Sequence, residues 1–137
     1  MADLSITAAN VVKGTGAVPD ASKVAGETVT AGQTVYLKAS DNRWWKSQAD
    51  ATSTEAAASG IALNGASAGQ PLVVQTAGEI TIGATVAVGG VYVVSATAGG
   101  IAPVADLAST NYLTVIGYGK TTAIIVMDVN PTGIQVA

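Results

Sequence analysis

Nine carboxylates are the only abundant ionisable groups in this 137-residue sequence, and paired Asp or Glu side chains are the first chemistry they could do. A glycosidase needs two carboxyl groups flanking one bond. Asp3, Asp20, Asp41, Asp50 and Asp106 instead fall in expected loops or near the ends, with no His base and no activated nucleophile beside them. They read as solvated surface groups. A calcium loop would need closely spaced oxygen ligands, and no Asp-x-Asp-x-Asp run occurs. Ser and Thr are numerous, but a serine hydrolase requires a base and an oxyanion arrangement around its nucleophile, and the sequence has no His to act as that base. Gly89-Gly90 and Gly99-Gly100 neither open a convincing helix nor precede Lys-Ser/Thr, so they read as hairpin turns rather than phosphate cradles. The sequence has no Cys and no His, which removes disulfides, thiolate metal sites and most transition-metal or acid–base designs. The expectation is a protein that is not an enzyme and uses no cofactor and no metal.

Arg43-Trp44-Trp45-Lys46 is the most distinctive side-chain cluster. Neighbours on a strand face opposite ways, so only one Trp of the pair can enter a given core. The other either covers the opposite face of a thin β-layer or anchors an interface, since Trp and Arg are enriched at binding hot spots. A sugar-stacking platform on Trp45 is a third reading.

The elements that must position this cluster are short strands. Between Gly60 and Ser95, runs of three to five residues alternate with Gly, Asn-Gly and Gly-Gln-Pro turn chemistry. They predict a meander over Ile61–Leu63, Leu72–Thr76, Glu79–Ile82, Thr85–Val88 and Val91–Ser95. Thr28–Val29 and Thr34–Lys38 predict strands joined through Ala31-Gly32, and Ser40-Asp41-Asn42 a tight turn before the Trp pair. Helical turns are expected within Ala49–Ser59, capped by Ser53 or Thr54, and at Val104–Ala108. Tyr112–Tyr118 and Ala123–Val129 predict a last strand pair across residues 119–122, with Gly133–Val136 closing the chain. Thr28-Val29, Gly32 and Val35-Tyr36 recur as Thr85-Val86, Gly89 and Val91-Tyr92 with one residue deleted. Either two related β-units share one core, or a Gly/Val-rich chain has matched itself by chance.

Residues 1–25 read as an extended N-terminal arm and linker, and residues 26–137 as the β-domain. Leu4 and Ile6 alternate with Ser5 and Thr7, and the run 13–26 carries Gly14, Gly16, Pro19 and Gly26 among small residues. An arm that can bury only Leu4, Ile6, Val11 and Val12 cannot offset its own ordering entropy, so it is expected to dock along a sheet edge of a neighbouring subunit or partner. The fold class expected is all-β: a small single-domain barrel or sandwich of short antiparallel strands, with that arm.

Composition bounds the partners. The apolar share of 49% is largely Ala and Val with no Phe, a thin core that subunit contacts often supplement, and only 11% of residues are charged. An oligomer is expected. Net charge −3 with six scattered basic residues argues against direct nucleic-acid binding. The start lacks a signal-peptide pattern, which predicts cytosolic synthesis. Ile80–Ala105 is uncharged, but its five glycines and one proline favour strands over a membrane span.

Four stretches are distinctive together: Ala-Asp-Leu-Ser-Ile-Thr-Ala-Ala-Asn-Val-Val at the start, Gly-Glu-Thr-Val-Thr-Ala-Gly-Gln-Thr-Val-Tyr at 26–36, Gly-Ile-Ala-Leu-Asn-Gly-Ala-Ser-Ala-Gly-Gln-Pro-Leu at 60–72 and the terminal Asn-Pro-Thr-Gly-Ile-Gln-Val-Ala. In their order and spacing the sequence resembles a family of tailed-bacteriophage head proteins, the capsid cement or decoration proteins. The resemblance implies a β-rich protein, often a trimer, that sits on the outside of the capsid lattice, binds the major capsid protein and reinforces the head. It brings no catalytic residues and no small-molecule substrate. The expected location is the virion exterior, after synthesis in the host cytoplasm. The interface residues expected are Leu4, Ile6, Val11, Val12, Arg43, Trp44 and Trp45. A tail, baseplate or fibre component is the alternative structural reading, and a glycan-binding module using the Trp pair is a second alternative.

Overall fold

Short β-branched runs closed by glycine turns can bury themselves only by pairing, and the chain does so in two antiparallel sheets. A computed structural model describes residues 3–137. In chain order the strands are β1 (Val12–Lys13), β2 (Pro19–Asp20), β3 (Thr34–Lys38), β4 (Arg43–Lys46), β5 (Gly60–Ala62) and β6 (Val74–Gln75), then β7 (Gly78–Thr81), β8 (Val91–Val94), β9 (Ile101–Pro103), β10 (Tyr112–Gly119) and β11 (Ile124–Gln135). A single helical turn, α1 (Ser53–Ala56), starts at Thr52, whose hydroxyl accepts from the Glu55 N–H. The expected cap was one or two residues further on. Val104–Asp106 forms a 3-10 turn where a short helix was expected.

One sheet runs β1-β7-β11-β10-β8-β9 and the other β2-β6-β5-β3-β4. Neither closes into a barrel, and they form a sandwich. Ile61 and Ala62 are successive residues of β5 and point to opposite faces, so the five-stranded sheet has a core on each side. The larger core joins Ile61 to Ile80, Tyr92, Val94, Ile101, Ile116 and Ile125 of the six-stranded sheet. The smaller joins Val35, Trp44, Ala62 and Val74 to Ala25, Val29, Ala66 and Leu72 from the flanking loops. Isolated bridges at Val24 with Pro71, Ala25 with Trp44 and Val29 with Ala66 hold those loops over it.

The two sheets repeat one plan. In the first half Val35 stands opposite Lys46 and Leu37 opposite Trp44; in the second, Tyr92 stands opposite Pro103 and Val94 opposite Ile101, every number larger by 57. The same shift carries Thr34 opposite Ile61 and Val35 opposite Gly60 onto Val91 opposite Tyr118 and Tyr92 opposite Gly117. The Gly32 N–H to Ala62 carbonyl bond, 2.8 Å, returns as Gly89 to Gly119, also 2.8 Å. The repeat therefore runs without the deletion that sequence matching placed near residue 34. Aligning Tyr36 with Tyr92 slips by one: Val35 is the true counterpart of Tyr92. Val35, Tyr36, Tyr92 and Val93 are all buried, so the hydropathy pattern gave no contrast to fix the register.

The central stretch is not a meander. It crosses between the sheets after β6, and β7 pairs with β1 and β11 rather than with β8. Thr85–Val88 is irregular, and Thr28–Val29 contributes one bridge to Ala66 instead of a hairpin with β3. In both places the chain passes over the end of a core, where a buried Val at 29 or 86 matters more than a ladder.

Residues 1–25 were expected as an arm and linker apart from the β-domain; residues 1–2 of that segment lie outside the described residues, and the rest is laid against the chain's own sheets. The Leu4 N–H donates to the Ile101 carbonyl at 2.8 Å and Thr7 to Gly83 at 2.9 Å, after which β1 pairs with β7 and β2 with β6. The segment thus crosses from the β9 edge of the six-stranded sheet to its β7 edge and then joins the second sheet. Leu4 and Ile6 pack on the larger core and Val11 is buried in it. The entropy of ordering these residues is offset by apolar burial and edge pairing within the chain itself.

Candidate interaction surface on the β3–β4 hairpin

The hairpin is built by a four-residue turn, 39–42, in which Asn42 takes φ 56° and its N–H donates to the Lys38 carbonyl at 2.8 Å. Asn tolerates that left-handed backbone better than most residues. Asp41 holds the exit of the turn: its Oδ1 accepts from the Arg43 N–H at 3.1 Å and its Oδ2 from the Trp45 indole N–H at 3.0 Å. Alternation then separates the two tryptophans. Trp44, 3% exposed, lies with Leu37 in the smaller core, while Trp45 sits across from Tyr36 on the other face.

Trp45 is therefore the surface tryptophan, and it is half-buried by its own chain. The Lys38 Nζ lies 4.3 Å from its ring centroid, a cation–π contact. Gly26 lies against the five-membered ring so closely that a Cβ there would collide with the indole nitrogen. These contacts fix the indole in place. The outer edge of β4 is partly covered by residues 24–26, through Trp44 N–H to Val24 O at 3.0 Å and Gly26 N–H to Trp44 O at 2.8 Å.

Charge gathers on this part of the chain. Lys46 pairs with Glu27 at 3.9 Å, and its backbone N–H donates to the same carboxylate at 2.9 Å; Lys23 pairs with Asp20 at 3.5 Å. The Ser22 side chain and backbone N–H bonded to Asp20, with Lys23 beside it, hold the Asp20 carboxyl below its ordinary pKa. Lys38 and Arg43 stand opposite each other in the ladder, and among the described residues neither forms an ion pair. Burial raises the Tyr36 phenol above its ordinary pKa, helped by Glu55, Glu27 and Asp41.

Of the residues expected at an interface, Arg43 and Trp45 belong to this surface. Trp44 does not, being a core residue. Leu4, Ile6 and Val11 are packed on the larger core, and Val12, 56% exposed, lines an open groove with Lys13, Pro19, Leu63 and Val73. The sequence by itself marks Asp41 as a turn residue and does not mark Lys38 as part of this surface. A signal for Lys38 was present, since position 38 is diagonal to 45 across a hairpin whose turn holds Asp41. Asp3, at the other end of the chain's chemistry, accepts from the Ser95 hydroxyl at 2.7 Å. Comparison of the sequence with protein-family models and with curated proteins finds no match.

Proposed function

We propose that this chain is a structural protein of a tailed-phage head that binds the outside of the capsid lattice as a homotrimer, with the β3–β4 hairpin as a contact surface. The reading is carried by the resemblance of residues 2–12, 26–36 and 60–72 to capsid cement proteins. It is supported by what those stretches do in the fold. Residues 3–12 of the first clasp the six-stranded sheet, the second carries Gly26 under Trp45 and leads into β3, and the third builds β5 and the loop over the smaller core. Order and spacing of soft glycine and β-branched residues are the features such a scaffold depends on. The rigid, cation-flanked Trp45 gives the module a surface of the kind that anchors protein contacts.

Immunogold labelling or a cryo-EM map of the source virion tests this directly. Label or density on the outer head surface is expected; label along the tail or at the baseplate would replace the head reading with the tail-component one. Light scattering of the free protein is expected to give three times the chain mass.

A further inference from the structure

We propose that Lys38, Arg43 and Trp45 form a receptor for a carboxylate-bearing loop of a partner protein. This deepens the reading of the hairpin as a contact surface and rests on it, but not on the partner being a capsid.

Two cations opposite each other on one face of a hairpin repel, and such pairs destabilise the ladder. Lys38 and Arg43 are so placed, and among the described residues neither forms an ion pair. Asp41, the carboxylate of the turn, is engaged by the Arg43 N–H and the Trp45 indole N–H instead.

The second half of the chain is an internal control. Its β8–β9 hairpin has the same register and the same loop length, with Ser95 in the place of Lys38, Gly100 in the place of Arg43 and Ala102 in the place of Trp45. Even the left-handed residue of the turn recurs, Asn42 at φ 56° and Gly99 at φ 76°. That hairpin is covered by the N-terminal segment, with Ser95 and Ala102 buried, whereas Arg43 is exposed and Trp45 half-buried; the shared backbone register thus forms without the cationic, aromatic set, which appears on the copy whose face is open.

The set is also preorganised. Trp45 is fixed by Asp41 and Gly26, and it in turn holds the Lys38 ammonium over its ring. Arg43, exposed beside them, presents a planar fork of donors that fits a carboxylate bidentately. The chain's net charge of −3 would repel a long nucleic-acid polyanion, whereas a single acidic loop can reach the Lys38 and Arg43 head groups by themselves.

The test is an amide NMR titration of the full chain with a hexaglutamate peptide, repeated with inorganic polyphosphate. Hexaglutamate is expected to shift the Trp45 indole N–H and the amides of residues 38–46, with affinity falling at least about tenfold in a Lys38→Gln/Arg43→Gln double variant. A Lys13→Gln/Lys120→Gln double variant should bind as the parent does. Shifts centred on Lys13 and Lys120, or unchanged affinity in the Lys38→Gln/Arg43→Gln variant, would overturn the proposal. So would polyphosphate binding the same residues more tightly than hexaglutamate, since that would make the ligand a phosphate. The titration needs no virion, so its failure is separable from a failure of the head assignment.

Discussion

Gly60 and Gly117 stand 57 residues apart at the same place in two copies of one β-unit, and each is pressed against a backbone carbonyl of the neighbouring strand: Gln75 for Gly60, Val126 for Gly117. A Cβ at either position would collide with that oxygen, which cannot swing aside as a side chain can. Gly60→Ala and Gly117→Ala should therefore each destabilise by about 3 kcal/mol, the upper range for overpacking. Urea unfolding would check the pair, and two mild, unequal effects would argue against the shared geometry.

The tryptophans separate by the same method. Trp44→Ala should cost about 3–5 kcal/mol, as expected for a buried aromatic. Trp45→Ala removes a half-buried ring and its cation–π contact and should cost less, about 1–2 kcal/mol, while abolishing the exposed-indole component of the fluorescence. Trp44→Phe should be milder than Trp44→Ala, because the Trp44 indole nitrogen is buried without a hydrogen-bond partner among the described residues and its loss removes an unsatisfied donor.

The N-terminal segment contributes to the chain's own stability. Leu4→Ala and Ile6→Ala should each cost about 1–2 kcal/mol, below the value for fully buried sites. Deleting residues 2–12 should lower the melting temperature of the free protein well beyond either single change. An unchanged melting temperature after the deletion would show that these residues add nothing to the fold in solution.

Tyr36 gives an alkaline signature. Its phenol has a raised pKa in the folded protein, so the folded state holds its proton longer than the unfolded chain does. That contribution is complete below the ordinary tyrosine value of about 10 and is lost as pH rises through the folded value. The parent should thus lose stability above about pH 10 more steeply than Tyr36→Phe. Parallel denaturant titrations at pH 8 and above would show it, and identical slopes would exclude the effect.

Composition and punctuation alone settled the all-β class, because β-branched runs between glycines have no helical face to bury. The Arg43–Lys46 strand and its turn were legible too, since Asp41-Asn42 is local turn chemistry. The repeat was visible only as a pattern of identities. Its constant 57-residue spacing came from strand pairing, because Val35, Tyr36, Tyr92 and Val93 are all buried and look alike to a hydropathy pattern. Which tryptophan is core depended on Ala25, Val29, Ala66 and Leu72 folding over one face of the sheet, a contact between residues far apart in the chain. The place of Leu4 and Ile6 was likewise decided in three dimensions. An extended segment with alternate apolar residues fits any open sheet edge, and only the folded chain shows that the nearest edges, at Ile101 and Gly83, are its own.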